Sequence, residues 1–240
     1  MKLHHIAAVI ALVVPFAAQA GLFSVSPVRI DLTPGAKSGS ISVSNEGSSL
    51  PLRVKLMKWT QDEKGEAVYT PASDLVYFPR ELVVEPGTTR SIRVLALTPP
   101  KGTEQAYRLF IEEQLPPAPA EEVAGRVAKV AVLVNFGVAV YVRGEDTPPA
   151  LTAIMGKDAG GNPSFTLSNT GSSHTFVNSL SAQGVSFPGF KPHYLLGGAS
   201  SPVVVSASAY QCASLPKNLV ADTAEGNLPV RINATALGCP

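Results

Sequence analysis

From Val130 to Val140 every even-numbered residue is apolar: Val130, Val132, Val134, Phe136, Val138 and Val140. The odd positions between them, Ala131, Leu133, Asn135, Gly137 and Ala139, are mixed and mostly small. Side chains of an extended chain point alternately to opposite faces, so this run writes one continuous apolar face on a β-strand. An ordinary strand keeps such a face for about 5–6 residues. A face of this length has two readings. It is a long central strand buried on both sides, or a strand with one stretch at an edge that offers its side chains to a partner. An exposed apolar edge is an aggregation hazard unless it has a use, and adding a strand to an incomplete sheet is an established mode of recognition.

The same period recurs along the chain. Val28, Ile30 and Leu32 alternate, as do Ile41 and Val43, Leu52, Val54 and Leu56, Ile92 and Val94, and Tyr107, Leu109 and Ile111. Pro34-Gly35, Asn45-Glu46-Gly47, Lys64-Gly65, Pro86-Gly87 and Lys101-Gly102 supply turn chemistry between the runs. No segment carries a sustained helical stripe. Short strands with turns at this spacing predict an all-β sandwich. A Pro/Ala/Glu-rich loop over 116–128 leads into the long strand, and Gly144-Glu145-Asp146-Thr147-Pro148-Pro149 breaks the pattern after it. Strand signals restart at Phe165-Thr166-Leu167 and Thr175-Phe176-Val177. The expected division is residues 21–144 and 145–240, each half of ordinary domain size.

Residues 1–20 predict a cleavable signal peptide: Lys2 and two histidines, an apolar stretch from Ile6 to Phe16, and Ala18-Gln19-Ala20 at the cleavage site. No later stretch has the length of about 20 apolar residues that a membrane-spanning helix needs. Export places Cys212 and Cys239, the only cysteines, in an oxidising compartment that favours a disulfide over two free thiols. Such a bridge closes a loop of about 27 residues and contributes about 3 kcal/mol in the chain-entropy model. A net charge of +1 offers no bulk attraction for nucleic acid.

Enzymatic readings find little support. The mature chain holds only His174 and His193, too few for a histidine-rich metal site. It contains neither a nucleophile elbow nor a glycine-rich phosphate loop. Ser173-His174 reads as a turn, and no metal or cofactor is expected.

Several stretches together resemble the periplasmic chaperones of the chaperone–usher pathway, with similarity to the archaic or alternative branch. They are Val25-Ser26-Pro27-Val28-Arg29, Val43-Ser44-Asn45, Leu50 to Val54, Tyr69-Thr70-Pro71 through Val84-Glu85-Pro86-Gly87 to Val94, Tyr107 to Glu113, and the apolar strand itself. The resemblance implies two immunoglobulin-like β-sandwich domains in a boomerang arrangement. It also implies that pilus subunits, each a sandwich lacking one strand, accept the strand through Val130, Val132, Val134 and Phe136 and are then delivered to an outer-membrane usher. The periplasm is the implied location, and weak self-association through the same strand is expected of the free protein.

In the better-known branch of that family an arginine on the first strand and a lysine on the donor strand hold the subunit's terminal carboxylate. Arg29 matches the arginine. The lysine position falls on Ala139, and no lysine lies between Val130 and Arg143. Arg90, Arg93 and Arg108 are the candidate substitutes. Arg143 is expected to set the interdomain angle through an ion pair, with Glu104 as one partner. The rival reading is an exported β-sandwich adhesion or binding module. It predicts a Val130–Val140 face wholly covered by the chain's own core, whereas an open face favours the chaperone.

Overall fold

In the computed structural model the described residues are 23–97, 102–115, 132–144, 148–157, 163–182, 185–187, 190–204 and 218–233. Among them the chain is all-β. The first ten strands are β1 (Phe23–Ser26), β2 (Arg29–Leu32), β3 (Ser38–Asn45), β4 (Leu50–Gln61), β5 (Ala67–Pro71), β6 (Leu75–Phe78), β7 (Glu81–Val84), β8 (Thr88–Ala96), β9 (Gln105–Glu113) and β10 (Asn135–Val142). They form a four-stranded sheet ordered β1-β3-β8-β6 and a six-stranded sheet ordered β2-β10-β9-β4-β5, with β7 also pairing β4.

The alternation read from sequence decides which side chains fill the space between these sheets. Leu52, Val54 and Leu56 of β4 are buried while Arg53 and Lys55 between them are exposed. Ile92 and Val94 of β8, Leu109 and Ile111 of β9, and Val138, Val140 and Val142 of β10 join the same core. Each such side chain contributes about 1.5–3 kcal/mol on burial. Tyr107 lies in this core with its hydroxyl donating to Asp74 and lying 2.8 Å from Gln105 Oε1. Burial and the neighbouring Asp74 carboxylate push its pKa well above the usual phenol range.

Eight further strands build the second domain: β11 (Leu151–Lys157), β12 (Pro163–Asn169), β13 (Thr175–Ala182), β14 (Val185–Ser186), β15 (His193–Leu195), β16 (Ser200–Val204), β17 (Leu219–Thr223) and β18 (Gly226–Asn233). They follow one hydrogen-bonded path, β14-β13-β17-β18-β11-β12-β16, with β15 on β13. The path folds around a separate core that includes Met155, Phe165, Leu167, Leu180 and Leu219.

The two domains share a turn device. Ser44-Asn45-Glu46-Gly47 and Ser168-Asn169-Thr170-Gly171 have the same pattern, and both asparagines are buried. Asn45 donates to the carbonyls of Ser48 and Val84 at 2.6 and 2.8 Å and accepts from the Gly47 amide at 2.9 Å. Asn169 donates to Ser173 and Leu195 at 2.7 and 3.1 Å and accepts from Gly171 at 3.0 Å. Each amide stands in for a missing strand neighbour and satisfies backbone groups that would otherwise be buried unpaired.

A smaller apolar cluster joins the domains: Trp59, Ala106, Ala139 and Tyr141 from the first, Leu196 from the second. Gln61 reinforces it like a short piece of strand. Its amide donates to the Tyr194 carbonyl and accepts from the Leu196 amide, both at 2.8 Å. The Glu104 amide donates to the Ser172 carbonyl at 2.8 Å.

Candidate binding edge

Strand β10 is tied to β9 along its whole length, from Asn135 opposite Glu112 to Val142 opposite Gln105. The pairing reaches one residue further, where the Glu113 amide donates to the Val134 carbonyl at 3.0 Å. The other side of β10 is different. Its partner there, β2, runs parallel and begins only at Arg29 opposite Ala139. Before Arg29 the chain has crossed to the other sheet, where β1 pairs β3 from Phe23 opposite Asn45 to Ser26 opposite Ser42. Pro27 stands at the crossing, where a residue without an N–H interrupts the ladder. Among the described residues no strand therefore pairs with positions 135–138 from that side, and this stretch is an open edge.

The even-numbered face divides along the same line. Val138, Val140 and Val142 are buried in the domain core. Phe136 is half-buried and meets the ring of Phe23 edge-on at 5.2 Å. Val134 is half-buried, and Val132 is 82 % exposed. The face is thus neither wholly covered nor wholly open: its C-terminal half fills the chain's own sandwich and its N-terminal half projects past the end of it. Val130 lies outside the described residues, as do Cys212, Cys239, the signal-peptide segment and the whole of the 116–128 loop.

The odd-numbered face carries the charged groups. Ala139 sits between Arg29 on β2 and Arg108 on β9, both of them its cross-strand partners. Arg108 donates to the Gly137 carbonyl at 3.3 Å and lies 4.4 Å above the Trp59 ring. Arg29 holds Asp31 through two hydrogen bonds of 2.8 and 3.0 Å and lies 5.1 Å from the Tyr141 ring centre. Arg90 and Arg93, by contrast, belong to β8 in the other sheet. Of the three candidate substitutes, only Arg108 lies beside the position left without its lysine.

Arg143 closes the strand and faces both ways. It donates to Asp31, and its Nε lies 3.5 Å from Glu104 Oε2. Burial disfavours ionisation of Asp31, but hydrogen bonds from Arg29 and Arg143 outweigh it and hold the carboxyl below its ordinary range. The hydrogen bond to Asp31 opposes the desolvation of Arg29 and raises its pKa. Glu104 continues the chain into the second domain, with its Oε1 2.6 Å from His174 Nδ1 and accepting from the His174 amide at 3.0 Å. His174, read from sequence as part of a turn, follows a bend over 171–173 but is buried at the domain junction. Sequence reasoning also missed Gln61. Nothing in an isolated glutamine signals that its amide will complete a backbone ladder in another domain.

A family model described as "Pili and flagellar-assembly chaperone, PapD N-terminal domain" matches residues 22–144. No curated protein sequence matches the chain. Solved structures do. The CsuC–CsuE chaperone–tip adhesion subunit pre-assembly complex from archaic chaperone–usher Csu pili of Acinetobacter baumannii aligns with a TM-score of 0.69 at 16 % identity, over 89 % of this chain and 100 % of that one. The class 5 fimbriae chaperone CfaA aligns at 0.56 and 16 %, over 86 % and 97 % of the two chains. The Salmonella enterica SafA pilin–SafB chaperone complex aligns at 0.56 and 13 %, over 89 % and 97 %. These similarities extend across both sandwich domains.

Proposed function

The chain belongs to the pili and flagellar-assembly chaperones, and from that membership we propose that it is a periplasmic chaperone that shields pilus subunits by donating the open edge of β10 and then delivers them to an outer-membrane usher. The observation that carries this reading is the one-sided pairing of β10: among the described residues, backbone groups before Ala139 face no second strand, while Val132 projects 82 % exposed in line with the buried valines. A subunit lacking a strand supplies both complements, a backbone partner and an apolar groove. Burying Val132, Val134 and Phe136 in such a groove would contribute about 1.5–3 kcal/mol each before the cost of association. Val130 would extend the same row. Val138 and Val140 would hold the donor strand in place from the chaperone's side.

Arg29 and Arg108 are the proposed anchor for the subunit's terminal carboxylate. They flank Ala139 on one face of one sheet, and a guanidinium grips a carboxylate through paired hydrogen bonds that fix register. Arg143 would keep the domains at the angle the anchor needs. The division of the chain near Gly144, the Cys212–Cys239 bridge and weak self-pairing through the β10 edge in the free protein are part of the same proposal. Chaperoning itself is not an enzymatic activity.

Affinity purification from the host's periplasm tests the reading, with the wild type beside Val132→Glu/Val134→Glu. Retention of small β-rich subunits by the wild type and their loss from a folded double variant supports strand donation. Equal retention by both sinks it.

A further inference from the structure

Arg29 and Asp31 stand two positions apart on β2, on the face they share with Ala139 and Tyr141 of β10. Their ion pair has a definite orientation. Arg29 donates to Asp31 from Nε at 2.8 Å and from Nη2 at 3.0 Å, so the carboxylate takes the side edge of the guanidinium. The end edge, formed by Nη1 and the second hydrogen of Nη2, has no hydrogen-bond partner among the described residues.

Asp31 is itself held. Arg143 donates to the same Oδ1 that Arg29 Nη2 reaches, and Glu104 lies 3.5 Å from Arg143 Nε on the other side. The Arg29 guanidinium also lies 5.1 Å from the centre of the Tyr141 ring. Arg108, across Ala139, has no carboxylate partner among the described residues, so Arg29 is the oriented member of the two. Its side chain is 42 % exposed and lines a cleft of about 330 Å³ together with Arg143, Pro148 and Leu228. Glu225, the carboxylate in the cleft wall, accepts from the Thr175 hydroxyl.

We infer, given the carboxylate anchor proposed above, that Asp31 is its positioning residue: it clamps the side edge of Arg29 so that the end edge meets the terminal carboxylate of a bound chain already aligned. A long, exposed side chain that is held before binding loses less rotamer freedom when it binds. Paired N–H···O bonds to a carboxylate also demand a fixed guanidinium plane. Asp31 has the same charge as the group it helps to bind. Because it also pairs with Arg143, however, one carboxylate is divided between two guanidiniums, and Arg29 stays attractive to a second anion.

The test uses the full chain and a fluorescent synthetic peptide that alternates valine with threonine, once with a free C-terminal carboxylate and once amidated. The wild type is expected to bind the carboxylate form at least about tenfold more tightly. Asp31→Asn keeps the shape and removes the charge; it should bring the two affinities within about threefold of each other without weakening the amidated form. Arg29→Ala should do the same, and adding Asp31→Asn to Arg29→Ala should change nothing further. Val132→Glu/Val134→Glu should weaken both forms alike, which separates strand donation from the anchor. Melting curves establish that each variant is folded at the temperature of the titration. The clamp alone is overturned if Asp31→Asn keeps or sharpens the preference, weakens both forms alike, or still acts in the Arg29→Ala background, which would route its effect through Arg143. If the wild type binds both forms equally, the carboxylate anchor fails and the clamp with it. If it binds neither, strand donation falls as well.

Discussion

Tyr141 and His174 lie face to face across the domain junction, with ring centroids 3.5 Å apart and planes within 6° of parallel. Tyr141 is in β10, so the strand that carries the open edge also abuts the second domain. Burial pushes the Tyr141 hydroxyl well above the usual phenol range, and the ring stays neutral at any physiological pH. Around this pair Glu104 and Arg143 form the polar rim and Trp59 and Leu196 the apolar one. Strand β10 thereby contributes side chains to the domain junction as well as to the open edge.

The first prediction concerns that junction. Gln61→Ala removes the partner of the Tyr194 carbonyl and the Leu196 amide, and each buried group left unpaired costs about 1–3 kcal/mol. Trp59 is the chain's only tryptophan and sits in the junction, so its fluorescence reports domain contact. Guanidinium titration should show the Trp59 transition moving to lower denaturant in the variant. An unmoved transition would mean the amide bridge contributes nothing.

A second prediction separates the two halves of β10. Val132→Glu places a charge on an exposed position and should leave the melting temperature near wild type while abolishing subunit capture. Val140→Glu places the same charge in a fully buried one and should prevent folding, since an unpaired buried charge costs more than a domain's net stability of about 5–15 kcal/mol can reliably absorb. Circular dichroism melts of the two variants distinguish a reactive end from a structural one.

The third concerns the missing lysine. Arg108→Ala should cut subunit retention at least about tenfold with little change in melting temperature, and Arg90→Ala should not. Ala139→Lys restores the family residue in type but not in effect. Ala139 is buried beneath Trp59, Tyr141 and Leu196 and flanked by two arginines, so lysine there should cost about 2–4 kcal/mol of stability. Comparing retention and melts across the three variants checks the assignment. Rescue of Arg108→Ala by Ala139→Lys would contradict it.

The fourth concerns pH. Asp31 has a folded-state pKa below its unfolded value, so the unfolded chain binds more protons in the window between them. Its contribution is therefore present at neutral pH and is lost as pH falls through the folded pKa, below about pH 4. Asp31→Asn should lower the melting temperature at pH 7, and the gap from wild type should shrink toward pH 3. A gap independent of pH would place the effect in packing instead.

Much of this was written in the sequence. Alternation marked which residues of β4, β8, β9 and β10 face the core, because a strand's side-chain period does not depend on what it pairs with. Where β10 stops being core and becomes edge was not legible. That point is set by where β2 joins it, opposite Ala139, and the crossing at Pro27 that fixes this lies more than a hundred residues upstream. Arg108 was among three equal candidates for the same reason: cross-strand register, not spacing, puts it beside Ala139. His174 was legible as part of a turn but not as a buried partner of Glu104, since the two are 70 positions apart and meet only when the domains do.

Under the proposed strand donation, the half-embedded β10 would give exchange a direction. Val138, Val140 and Val142 are held in the chain's own core, so an incoming chain would pair from the Val132 end toward a fixed stop at Ala139, where β2 takes over the pairing. Release would run in reverse and would finish toward the Val132 end, where the described row is most exposed and each remaining contact is the weakest to hold.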